Sequence, residues 1–108
     1  MTLQTIDQAA LGGDFEGYQF GSDVSLILER VERAGVGPRL HRHPYSETFV
    51  IRSGSALFTV GDKKIEAVGG QILVVPALVP HMFRTLTDDV YEAIHIHAND
   101  RFVTEWLE

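Results

Sequence analysis

The chain reads as a succession of short apolar runs separated by glycine and proline, with a helical period only near its end. Val24-Ser25-Leu26-Ile27-Leu28-Glu29-Arg30-Val31 is rich in β-branched and apolar residues, and Gly35-Val36-Gly37-Pro38 breaks it. Thr48 to Ile51 is closed by Ser53-Gly54, and Ala56 to Val60 follows. Gly61-Asp62 is a two-residue hairpin signal that returns the chain through Lys63 to Val68. Gly69-Gly70 leads into Ile72 to Val75, which Pro76 stops; Phe83 to Leu86 and Val90 to His97 complete the series. Short strands at this spacing predict an all-β sandwich or barrel over about residues 24–98. Residues 1–23 carry scattered glycines and read as irregular. Over about 99–107, Asn99 is a good helix cap, and Phe102, Val103, Trp106 and Leu107 fall on one helical face, predicting a short C-terminal helix packed on the barrel.

Length and composition narrow this picture. A chain of 108 residues is one domain, long enough to bury its own core. Its net charge of −6 argues against nucleic acid or an anionic membrane as partner. The absence of cysteine excludes disulfides, thiolate metal sites and a cysteine nucleophile. Met1 to Asp7 shows no basic start followed by an apolar run, and the longest apolar stretch contains Pro76. The expectation is a soluble cytoplasmic domain without signal peptide or membrane helix.

The chemistry lies in the histidines. His41 and His43 are two apart, so on an extended chain both imidazoles project to one face and can close on one ion. Glu47 lies ~13 Å further along a straight strand. Pro44, however, ends the strand, and a turn through Tyr45-Ser46 brings Glu47 back. Phe49 and Ile51 share its face, so this carboxylate opens a strand with an apolar inner side, where a cation is its natural partner. A closed barrel would also return His81 beside His43.

These residues resemble the first cupin motif, G-x5-H-x-H-x3-E-x6-G, with Gly35, His41, His43, Glu47 and Gly54 at every fixed position. The second motif, G-x5-P-x-G-x2-H-x3-N, is met by Gly70, Pro76 and His81, with Leu78 replacing the second glycine and Thr85 the asparagine. The chain is thus identified as similar to small single-domain cupins. The resemblance implies an antiparallel jelly-roll β-barrel, with His41, His43, Glu47 and His81 as ligands of one divalent transition metal ion. Such a ligand set suits Fe, Mn, Ni, Cu, Co or Zn and does not suit Ca or Mg. Leu78 should resist the backbone geometry a glycine adopts there, and Thr85 should supply a turn hydrogen bond.

Four protein ligands leave open positions on an octahedral ion, and Glu47, off the ion, would be a general base in an apolar cavity. Phe49, Ile51 and Phe83, with one of the pairs Ile72/Val74 or Leu73/Val75, are the expected wall, which suits a small apolar or aromatic molecule. His95 and His97 share one face of the last strand, and His95 is the candidate to reach the substrate. The implied class is a metal-dependent oxidoreductase of dioxygenase type. The alternatives are a non-redox isomerase, cyclase or lyase, or a non-enzymatic binding module. The consecutive Leu26, Ile27 and Leu28 look buried on both faces of their strand, so a homodimer is expected.

Overall fold

The computed structural model describes residues 3–108. Ten strands form two antiparallel five-stranded sheets in the order β1-β2-β9-β4-β7 and β10-β3-β8-β5-β6. The strands are β1 (Asp14–Phe15), β2 (Ser25–Val31), β3 (His41–Arg42), β4 (Glu47–Ser53), β5 (Ser55–Val60), β6 (Lys63–Val68), β7 (Ile72–Val75), β8 (His81–Thr85), β9 (Tyr91–His97) and β10 (Glu105–Trp106). Interleaved in this way, the sheets make a jelly roll. Among the described residues no helix is long and apolar enough to cross a membrane.

Period-two alternation positions the site. Glu47, Phe49 and Ile51 on β4, His81, Phe83 and Thr85 on β8, and Tyr91, Ala93, His95 and His97 on β9 are all buried and face inward. On β4 and β9 the inward face is polar at one end and apolar further along, and on β8 His81 lies at that same polar end, opposite His41. One mouth of the barrel therefore gathers the histidines and Glu47, while Ile51, Phe58, Tyr91 and Ala93 belong to the apolar core. Of the two candidate pairs on β7, Val75 is buried and Leu73 partly so, whereas Ile72 and Val74 face outward.

Turn chemistry supports this frame. Gly61-Asp62 joins β5 to β6 with Val60 opposite Lys63. Gly54 takes φ 76°, and a Cβ there would meet the Val90 carbonyl oxygen at 2.6 Å, so glycine is required. Leu78 adopts φ 67°, the one described non-glycine residue with positive φ. The turn is kept at the leucine's expense, and its N–H donates to the His43 carbonyl at 2.8 Å. Thr85 does supply turn hydrogen bonds: its hydroxyl donates to Arg33 O (2.7 Å) and accepts from Val36 N–H (3.0 Å).

Two expectations need correction. The C-terminal segment is not a helix. Phe102, Thr104 and Trp106 alternate towards the barrel interior, and Glu105-Trp106 pairs with His41-Arg42 as β10. Pairing with an open edge of β3, reinforced by the Arg42–Glu105 ion pair (2.7 Å) and Leu107 N–H to Leu40 O (3.0 Å), prevails over weak local helix propensity. The described part of the N-terminal segment, residues 3–23, is also less irregular than expected; residues 1–2 lie outside the described residues. It contains 3₁₀ turns at Gln8–Ala10 and Gly17–Gln19, and β1 extends the first sheet.

Candidate metal centre

The two-residue spacing places His41 and His43 on one side of the chain, and the turn after Pro44 returns Glu47 at the start of β4. His41 lies opposite His81 in the β3–β8 pair, and Glu47 opposite His97 in the β4–β9 pair. One ligand atom from each of His41, His43, Glu47 and His81 falls within 4.8 Å of all the others, and all four residues are buried. The structure thus brings together the four residues expected as ligands.

The hydrogen bonds fix the imidazoles for metal binding. His41 Nδ1 contacts Arg39 O at 2.6 Å, His43 Nδ1 contacts Val103 O at 2.8 Å, and His81 Nδ1 contacts Val79 O at 2.9 Å. A carbonyl only accepts, so each Nδ1 carries the proton and each Nε2 presents a lone pair. Those of His43 and His81 lie 3.0 and 3.1 Å from Glu47 Oε1. His43 Nε2 is buried and has no partner with hydrogen-bond geometry. Lone pairs converging on a carboxylate call for a cation between them. The donor set fits a divalent transition ion, and the cluster can bind one.

Two further groups set the Glu47 carboxylate. The Tyr45 hydroxyl accepts from Val103 N–H (3.1 Å) and lies 2.7 Å from His97 Nδ1. If its own proton goes to that nitrogen, His97 carries its proton on Nε2, 3.2 Å from Glu47 Oε2. His97 Nε2 is therefore within ion-pair distance of the far oxygen of Glu47, though, like His43 Nε2, without hydrogen-bond geometry. Burial pushes the Glu47 pKa up; the imidazoles of His43, His81 and His97 outweigh it and hold the carboxyl well below its usual range only in the metal-free state, where their Nε2 atoms carry protons that an ion would displace. In this geometry Glu47 is suited to be a ligand. Burial also lowers the pKa of His41, against the pull of the Arg39 carbonyl.

The cluster opens into a cavity of about 360 Å³. Phe49, Phe83 and His95 line it, as expected. Ile51 does not. It lies two residues beyond Phe49 along β4, ~7 Å deeper, and is 1% exposed in the core. His95 packs edge-on against Phe49, with ring centroids 4.6 Å apart, and its Nε2 lies 3.0 Å from the Tyr91 hydroxyl. The sequence reading misses Glu29, Val36, Pro38, Phe102, Thr104 and Trp106 as wall residues. Two signals were available: Glu29 shares the parity of Ser25, Ile27 and Val31, and 102, 104 and 106 alternate.

The Cupin domain family profile matches residues 27–97. The chain belongs to the cupin domain family. A search of curated protein sequences gives no match. Solved structures similar to this cupin include the oxalate decarboxylase of Lactobacillus farciminis in a formate complex, with 19% identity and TM-score 0.76 over 87% of this chain and 30% of that one. Another is a Bacillus subtilis oxalate decarboxylase described for its Mn(II) centres, with 23% identity and TM-score 0.75 over 87% and 26%. A third is a double-stranded β-helix protein of Klebsiella pneumoniae, with 16% identity and TM-score 0.70 over 78% and 70%. At these identities the likeness establishes the fold. This cupin spans under a third of the length of either decarboxylase.

Proposed function

We propose that this cupin is a mononuclear metal-dependent enzyme, an oxidoreductase of dioxygenase type acting on a small apolar or aromatic molecule. The observation that carries the reading is the cluster itself. Three imidazoles are locked by backbone carbonyls with their Nε2 atoms towards Glu47, at the head of an apolar cavity. When bound, a redox-active ion such as Fe, Mn, Cu or Ni supplies Lewis acidity and electron transfer at the positions that four protein ligands leave open. The chain's own residues do the rest. His97, held by Tyr45, stands within ion-pair distance of Glu47. Phe49 and Phe83 give a substrate ring flat and edge contacts and exclude water. His95, neutral at its depth, offers a hydrogen bond without a charge.

The test is metal analysis of the purified protein followed by oxygen-electrode assays on a panel of catechols, phenols and hydroxybenzoates. The reading expects a redox-active metal and substrate-dependent dioxygen uptake. Tightly held zinc without uptake across the panel would contradict it and point to a non-redox isomerase, cyclase or lyase, or to a binding module.

A further inference from the structure

Glu29 is a second carboxylate on the inner side of the barrel, outside the metal cluster. It sits on β2 opposite Ala93, and so between the inward-facing Tyr91 and His95 of β9. It lines the same cavity as the cluster. Among the described residues, no ion pair or side-chain hydrogen bond includes it. Arg30, Arg33 and Arg52 share surface grooves with Glu29, but none of them pairs with it. Asp14 on β1 and Glu47 on β4 add to the effect of burial in raising its pKa. Tyr91 and His95 are neutral groups, and Tyr91 is pushed further from ionising, by burial first and then by Glu29. The nearby cations are engaged elsewhere or turned to solvent. Arg30 pairs with Glu32 and Glu92, Arg84 donates to Pro38 O and Phe83 O, and Arg33 is exposed. None of the described cavity-lining residues is lysine or arginine.

A partly buried carboxylate left without a donor is costly to the fold. We propose that Glu29 is a substrate anchor, accepting a hydrogen bond from an ammonium or hydroxyl group of a molecule whose other end meets the His41, His43, Glu47 and His81 cluster. The proposal rests on the metal reading above and adds the substrate's polarity to it. The cavity then selects a neutral or cationic molecule with a donor at its far end and rejects one carrying a carboxylate there.

Calorimetric titration of the zinc-loaded protein with three catechols tests this. 4-(Aminomethyl)catechol, 4-methylcatechol and 3,4-dihydroxybenzoate share a chelating end and differ at the other. The expected result is tightest binding of the aminomethyl compound, ~10- to 100-fold over the carboxylate. In Glu29→Gln that preference should shrink to about threefold or less. Equal or tighter binding of 3,4-dihydroxybenzoate by wild type overturns the proposal. So does a preference that survives in Glu29→Gln, or silence from all three catechols while zinc is bound. Failure of zinc itself to bind strikes the metal reading instead, and melting of the metal-free proteins then decides. The raised pKa of Glu29 means its cost is absent below the unfolded value and grows as pH rises through the folded one. Glu29→Gln should therefore melt higher than wild type at pH 8 and converge with it towards pH 4.5. An unchanged or lower melting temperature at pH 8 would show that the fold itself satisfies Glu29, and would overturn the proposal.

Discussion

At His95 the barrel keeps an imidazole neutral. Burial pushes its pKa down to about 4, against the pull of Glu47. The unfolded chain takes up this proton near pH 6.5, and the native state holds out until about 4. Protonation in that window therefore favours unfolding. Metal-free protein should lose about 3 kcal/mol of stability from this residue as pH falls from 6.5 to 4, with His41 adding in the same direction. Urea midpoints at pH 7.5 and 4.5 measure the slope, which should be shallower in His95→Asn. Leu78 is strained in a different way. A left-handed backbone costs a non-glycine residue roughly 1–2 kcal/mol, and the exposed leucine gains little from packing. Leu78→Gly, which would destabilise most positions, should leave stability unchanged or raise it by up to about 1 kcal/mol, read from the same urea curves.

The C-terminal strand links the fold to the metal centre. Val103 O holds His43 Nδ1, Val103 N–H donates to Tyr45, and Phe102 and Trp106 close the cavity. Deleting residues 101–108 should weaken metal affinity about 10- to 100-fold, the usual effect of losing an outer-shell partner. The far-UV β signal should remain. Affinity is measured by competition with a chromophoric chelator. This strand is also where sequence legibility fails. Phe102, Val103, Trp106 and Leu107 satisfy a helical face, while Phe102, Thr104 and Trp106 satisfy a strand face, and nothing local chooses between them. The choice is made by the edge of β3, a partner some 60 residues away in sequence. The ligands are legible for the opposite reason. His41, His43 and Glu47 lie on one continuous strand–turn–strand unit whose geometry Pro44 dictates, and only His81 needs barrel closure. Ile51 shows the limit of parity: it shares the inward face with Glu47 and Phe49, but depth along the strand places it below the cavity.

At the scale of the whole molecule, the outer face of the first sheet stands out. Leu26, Leu28, Ile94 and Ile96 lie on it, and Ile72 and Val74 are 65% and 57% exposed. Ile6, Leu11 and Phe15 share a groove with Leu26 and Leu28, so the N-terminal segment covers only part of this face. We propose that a second copy covers the remainder. Light scattering at micromolar concentration should give twice the chain mass, and Val74→Glu should return a monomer; a monomeric wild type would contradict this. The core of Phe49, Ile51, Phe58, Val75, Phe83 and Tyr91 needs no ion. Metal should therefore serve chemistry and add stability only by mass action. The most direct measurement is metal content by mass spectrometry after reconstitution, with far-UV circular dichroism on the same samples. Wild type should hold one divalent transition ion per chain. Glu47→Gln, which keeps the shape but removes the charge, should lose at least ~100-fold in affinity, and chelated wild type should keep its β signal. A wild type that holds no metal, or a Glu47→Gln that holds it equally well, would contradict the assignment of this cluster as a metal centre.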